Sequence, residues 1–421
     1  MNKKITLVTC YFTALLILPL FAGFTSCDAG NREYPCLFVC SDTLESPYGL
    51  CTHINRKGDR YEFDTREKEI EMIHNVGAEW IRTDFDRGRF VSKEAKNEMV
   101  FTHFDKVMET VGLDKLGMLG IISRLKEMGQ IDEWRNYVCQ IARRYQSVSH
   151  WEIINEADSK YGKNGLLISD YVKLLKEGYF AIKEGNQESK VLISGLAHSM
   201  RPFMDTVFAS GGADYFDIMN VHHYSNKRRE PEEFIEFYNQ LSDKMAEYKV
   251  EKPVWLTETG CSSAPNWASE EVQAQRLPRI FLISFACGID KVFWYKTRSN
   301  ELKEADKECH FGLWHKNYSP KPAYYAYQTL VNMCPDKSVR PKLRRQGDIY
   351  MAQWMRPDKK IVWAIWSQDK HRNVGLTIEG KYVCYDTMGN VVQLHGKTTD
   401  VSPSVVYIVG AKSVILENVS N

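Results

Sequence analysis

The sequence predicts an α/β chain: a (β/α)8 TIM barrel followed by a small C-terminal antiparallel β-sandwich. Between residues 46 and 335, eight short apolar, β-branched runs alternate with longer stretches of helical period. The units recur roughly every 30 to 45 residues, the spacing expected of a barrel of ~250 residues or slightly more. Beyond Pro335 the texture changes to short alternating runs divided by turn residues. A doubly wound open sheet competes with this reading, but no G-x-G-x-x-G turn follows the first strand.

In chain order, residues 1–27 (MNKKITLVTCYFTALLILPLFAGFTSC) carry Lys3 and Lys4, an apolar run to Phe24, the small residues Thr25 and Ser26, and then Cys27. That is an export signal, and its end resembles the lipobox of bacterial lipoproteins. The resemblance implies lipidation at Cys27, export, and attachment to a membrane by that anchor alone, so the segment is set apart from fold reasoning. Residues 28–45 read as a linker. The barrel strands are expected at 48–54, 79–85, 116–122, 150–156, 190–196, 216–224, 253–260 and 291–297. The helices are expected at 66–76, 102–111, 131–145, 169–184, 202–209, 231–248, 268–287 and 322–333. Residues 336–421 supply the sandwich, from runs such as DIYMAQWM, KIVWAIWS and KSVILEN, with a hairpin loop at Asp386 to Asn390.

Composition narrows the partners. A chain of 421 residues with 43% hydrophobic content supports one large domain or two. Lys plus Arg (55) nearly cancels Asp plus Glu (54) without long like-sign blocks, which disfavours nucleic acid and points to a neutral ligand. Beyond the export segment the Cys count is odd, and a disulfide among Cys36, Cys40 and Cys51 is open to an exported chain. No paired CxxC motif suggests structural zinc.

A barrel builds its active face at the C-terminal ends of its strands. Here those ends hold Arg82 and Asp84 (second strand), Asn155 and Glu156 (fourth), His222, His223 and Tyr224 (sixth), Glu258 (seventh) and Trp294 (eighth), with His198 following the fifth. Barrel closure brings Glu156 and Glu258 to one face, where two carboxyl groups can flank a single bond. Adjacent His222 and His223 point to opposite sides of a strand, so a two-histidine metal site is not expected.

At these residues the sequence resembles the clan A glycoside hydrolases, including families 39 and 5. WEIINEAD (151–158) resembles the fourth-strand Asn-Glu-Pro pattern, VWLTETG the seventh-strand nucleophile, HHY the sixth-strand His-x-Tyr, and FGLWHKNYSPKPAYYAYQTL the approach to the last helix. The resemblance implies a retaining glycosidase acting on β-linked carbohydrate, with no cofactor and no metal. Glu258 would be the nucleophile, its charge stabilised by Arg82 and Tyr224. Glu156 would be the acid/base, starting protonated. Asn155 would bind the sugar 2-hydroxyl, and His222 would line the site. Trp294 would form the sugar platform, with Trp267 a further aromatic face and Trp255 more at home in the core; His198 would line the site or cap its loop. One departure stands out: Ala157, followed by Asp158, replaces the expected proline. A non-catalytic carbohydrate-binding barrel and a metal-dependent barrel hydrolase are the competing readings. The intact Asn155, Glu156 and Glu258 oppose the first, and the lack of ligands on early strands opposes the second.

Overall fold

The computed structural model describes residues 31–417, apart from 57–63, 91–97, 113–115, 126, 160, 162–166, 198–199, 227 and 395–397. The export segment, Cys27 and His198 therefore lie outside the described residues. Eight parallel strands form the barrel: β2 (Tyr48–Cys51), β3 (Trp80–Phe85), β4 (Gly117–Ile122), β5 (His150–Ile153), β6 (Lys190–Leu192), β7 (Met219–His222), β8 (Val254–Thr259) and β9 (Ile289–Tyr295). Their order is β6-β5-β4-β3-β2-β9-β8-β7, and the parallel bridges Leu192↔Ile218 and Leu196↔Val221 join the two ends. All but β9, which starts two residues early, are shorter than their apolar runs suggested, and most of them end sooner because the polar residues beyond leave the ladder for the loops of the active face.

The outer helices are α1 (Asp64–Asn75), α2 (Thr102–Val111), α3 (Ile131–Arg144), α4 (Ile168–Gly185), α5 (Met200–Ala209), α6 (Phe234–Glu247), α7 (Glu270–Ala286) and α8 (Pro322–Met333). Most bury one stripe against the sheet; in α2 it is Phe104, Val107 and Val111. Helix α7 is buried from Gln273 to Ala286 except at Gln275, because the C-terminal sandwich covers its outer side.

That sandwich pairs a seven-stranded with a three-stranded sheet. Six strands fall in the expected runs: β11 (Ile349–Met355), β12 (Ile361–Ser367), β13 (Arg372–Glu379), β14 (Val383–Tyr385), β17 (Val406–Val409) and β18 (Ser413–Glu417). The Asp386 to Asn390 loop turns β14 into β15 (Val391–Val392), with the Asp386 carboxylate accepting from Met388 N and Asn390 N. The sequence reading omitted β10 (Lys342–Gln346) and β16 (Thr398–Val401). It also placed a linker where β1 (Asn31–Tyr34) pairs antiparallel with β10. The expected set of nearby cysteines divides: Cys36 and Cys40 lie with sulfurs 3.1 Å apart, while Cys51 is buried inside the barrel, its thiol on Thr257 O.

One face of the seven-stranded sheet joins the barrel's core, while its other face packs on the three-stranded sheet in a core of its own. Trp354 donates to Met333 O, and Trp366 donates to Glu232, which Arg279 of α7 also grips. A buried Trp removes roughly 150–250 Å2 from water, worth several kcal/mol at ~25 cal/mol per Å2, so this contact fixes the two layers firmly.

Candidate active site

Arg82, on β3 and 2% exposed, organises the barrel mouth. Its guanidinium holds Glu152 in a fork, Nε to Oε2 at 2.8 Å and Nη2 to Oε1 at 3.0 Å. It also donates to Glu258 Oε1 at 2.5 Å and to Asn155 Oδ1 at 2.7 Å. Such a planar donor set suits several acceptors at once. Glu152, fully buried with its Oε1 also accepting from Gly195 N, is a site residue that the sequence reading missed. A carboxylate inside the apolar run HWEII was the available signal, since a buried charge requires a partner.

Glu258 sits at the end of β8, its second oxygen accepting from Tyr224 Oη at 2.7 Å. Burial pushes its carboxyl up, but the charges of His222 and Arg82 and the hydrogen bonds from Tyr224 and Arg82 outweigh burial and hold it below the usual range. Burial beside the Glu258 charge raises Tyr224 well above the ordinary phenol value, so it remains a donor.

His222 links the two catalytic candidates. Its Nδ1 lies 3.2 Å from Glu156 Oε1 and 3.6 Å from Glu258 Oε2. Its Nε2 lies 3.1 Å from Thr257 Oγ1, whose hydroxyl donates to Asn220 Oδ1. With that hydroxyl committed, Nε2 is the donor to Thr257, and a proton is shared between Nδ1 and Glu156 Oε1. Burial lowers the imidazole pKa, but the Glu258 charge and the Glu156 hydrogen bond reverse this and leave it raised. Gly195 makes room for the ring, since a Cβ there would overlap Nε2. His223 faces away and stacks on Phe237 of α6 at 4.1 Å.

Glu156 follows β5 and is partly exposed. The segment leaves the sheet with Ile154 at φ +69° and Glu156 at φ +50°, left-handed conformations that a β-branched residue strongly disfavours. Ala157 N donates to Ser194 Oγ at 2.8 Å, and the Asp158 carboxylate accepts from Ala197 N at 3.1 Å. Asp158 is thus buried support for the loop rather than an extra carboxylate in the cavity.

These residues open on a cavity of about 610 Å3 whose walls include Arg82, Asn155, Glu156, Tyr224, Glu258, Trp267, Tyr295 and Phe311. Trp267 lies on that wall, as its loop position allowed. Trp255 lies in the barrel interior, its ring centroid 4.7 Å from that of His150. Trp294 requires correction: it is fully buried, its Nε1 donating to Phe311 O, and Tyr295 is the β9 residue that faces the cavity. Side chains alternate along a strand, so an error of one residue exchanges a wall for a core position.

Glu156, His222 and Glu258 present three donor atoms all within 4.8 Å of one another. They could face a cation, but the Arg82 guanidinium already supplies positive charge against Glu258. The arrangement offers an ionised carboxylate and a proton-sharing carboxyl across a narrow gap.

Residues 154–311 match the family described as Glycosyl hydrolase catalytic core, a stretch that contains both Glu156 and Glu258. A search among curated proteins finds no match to the chain. Among solved structures, a family 39 glycoside hydrolase from Bacteroides cellulosilyticus is similar, with TM-score 0.72, 19% identity, 88% of this chain and 81% of that chain covered. A monomeric β-xylosidase from Caulobacter crescentus aligns with TM-score 0.63, 13% identity and coverage of 90% and 98%. A family 30 endoxylanase from Clostridium papyrosolvens aligns with TM-score 0.61, 9% identity and coverage of 88% and 98%. Part of the barrel, residues 154–311, is thus similar to a glycosyl hydrolase catalytic core, and the whole chain shares the fold of these solved structures.

Proposed function

We propose that the protein is a retaining glycosidase that cleaves β-glycosidic bonds of an oligo- or polysaccharide by double displacement. The separation of the two carboxylates carries this reading. One oxygen of each lies within 4.8 Å of the other, a close approach that favours the ~5 to 5.5 Å carboxyl separation of retaining enzymes over the ~6.5 to 9.5 Å that an inverting enzyme needs for its water. Glu258 attacks the anomeric carbon and forms a glycosyl ester, while Glu156 passes its proton to the leaving oxygen. Glu156 then takes a proton from the water that attacks the ester, and Glu258 is released. Asn155, held by Arg82, is placed to bind the sugar 2-hydroxyl. The xylosidase and endoxylanase among the similar structures support a β-linked substrate.

Glu258→Ala should abolish turnover of a β-aryl glycoside, and azide should restore it with an α-glycosyl azide as product. Glu156→Ala should keep turnover of dinitrophenyl glycosides and lose it on poor leaving groups. Proton NMR of the first-formed sugar reads the stereochemistry, and an inverted product from the unaltered enzyme would reject the mechanism. Export and lipid anchoring at Cys27 belong to the same reading; Cys27→Ser should move the protein from the membrane to the soluble fraction.

A further inference from the structure

Beyond Asn155 the cavity continues into a groove of about 870 Å3, which shares Arg56, Asp84, Ile121 and Asn155 with it. The groove differs in chemistry from the catalytic cavity. No aromatic side chain lines it among the described residues, whereas Trp267, Tyr295 and Phe311 line the cavity. Four arginines line it instead, delivered by three successive loops: Arg56 after β2, Arg87 and Arg89 after β3, and Arg124 after β4.

The loops are anchored from below. Buried Arg66 donates to Ile54 O, Asn55 donates to Asp84 O, and Arg87 N donates to Ser123 Oγ. The acidic residues nearby are already engaged. Asp84 pairs with Arg56 at 3.1 Å, Asp86 caps Gly88 N at 3.0 Å, and Glu133 takes Arg87 at 2.8 Å. Arg89 and Arg124 have no carboxylate partner among the described residues. Arg89 spends one nitrogen on Asn55 O at 2.8 Å, which steadies it and leaves the rest of its donor fork toward other acceptors. Arg124 is exposed.

We propose that this groove is a subsite for an anionic sugar residue, carboxylated or sulfated, held by Arg89 and Arg124 on a glycan whose scissile bond lies between Glu156 and Glu258. A neutral sugar is recognised on aromatic faces, but a fixed carboxylate or sulfate is recognised by guanidinium forks. The near-neutral charge of the whole chain conceals this local excess. The inference rests on the glycosidase reading.

Calorimetry on the full chain carrying Glu258→Ala tests it without turnover. The probes are a β-linked mannuronic acid tetrasaccharide, its carboxyl-reduced form, a sulfated β-linked galactan tetrasaccharide and xylotetraose. The expected result is at least about tenfold tighter binding of an anionic probe than of its neutral counterpart, weakening with added salt. The first two probes report a carboxylate source and the third a sulfate source. Adding Arg124→Gln or Arg89→Gln should erase that preference, and Arg124→Glu should reverse it, with melting temperature unchanged. Equal affinity for neutral and anionic probes, binding of none of the anionic probes, or a preference that survives both arginine changes would overturn the proposal. Azide rescue tests the chemistry independently, so either idea can fail alone.

Discussion

Replacing Arg82 with Met tests the central physical claim. The guanidinium neutralises Glu152, which is fully buried, and Glu258, which is nearly so. Removing it leaves Glu152 with only Gly195 N as a donor among the described residues. Stranding one charge of a buried pair costs about 3 to 5 kcal/mol, a large share of the ~5 to 15 kcal/mol available to a folded domain. Glu152→Gln in the same background removes the stranded charge, so the double variant should recover part of the loss, with a coupling of about 1 to 3 kcal/mol in the cycle. Urea unfolding at pH 7 measures both. The acid limb of kcat/KM on an aryl glycoside should also move to higher pH. Without Arg82, burial acts on Glu258 against only His222 and Tyr224. A loss under about 1 kcal/mol together with an unmoved acid limb would refute the reasoning.

Three further outcomes follow from the same geometry. Tyr224→Phe removes a hydrogen bond to a charged oxygen, worth roughly 1.5 to 3 kcal/mol; turnover should fall about 10- to 100-fold, and a rate equal to the parent's would remove Tyr224 from the machinery. Gly195→Ala places a methyl on the His222 ring, and turnover should drop about 100-fold as the imidazole is displaced; unchanged kinetics would mean that the ring has slack. Because the folded carboxyl of Glu258 titrates below its ordinary 4.5, its contribution to stability is complete above that value and disappears as pH falls through the lowered one. Stability of the parent should therefore decline more steeply than that of Glu258→Gln below about pH 4.5, and parallel curves from calorimetric scans would contradict the direction of the shift.

Strand and helix periodicity made the barrel legible, because each strand buries side chains on both faces and each helix must cover it. The chemistry at the strand ends was legible for the same reason: polar groups terminating apolar runs are costly unless they emerge at a working surface. What escaped were features set by long-range pairing. The strand β10, KLRRQ, has no apolar alternation and is held between its hairpin partner β11 and the charged strand β1, which is far away in sequence. Glu152 was overlooked because its role exists only once Arg82 of another strand stands opposite. Trp294 was misplaced because a seven-residue run, KVFWYKT, does not reveal which of two adjacent aromatic residues faces inward.

The missing proline at Ala157 has a structural answer. Two non-glycine residues in left-handed conformations, Ile154 and Glu156, cost of order 1 to 3 kcal/mol each. A proline would restrict the chain there by its fixed φ, and it would also disfavour the helical region for the residue before it. Here the restriction comes from hydrogen bonds. Ile154 N reaches Ile122 O on β4, Ala157 N reaches Ser194 Oγ, and Asp158 takes Ala197 N. Proline has no N–H and cannot make the second of these. Glu156 is therefore aimed by its ties to the segment after β6, and Ser194 and Asp158 act as positioning residues for the proposed acid/base. A change at Ser194 that kept the fold would be felt first as a displaced Glu156, in turnover of substrates with poor leaving groups.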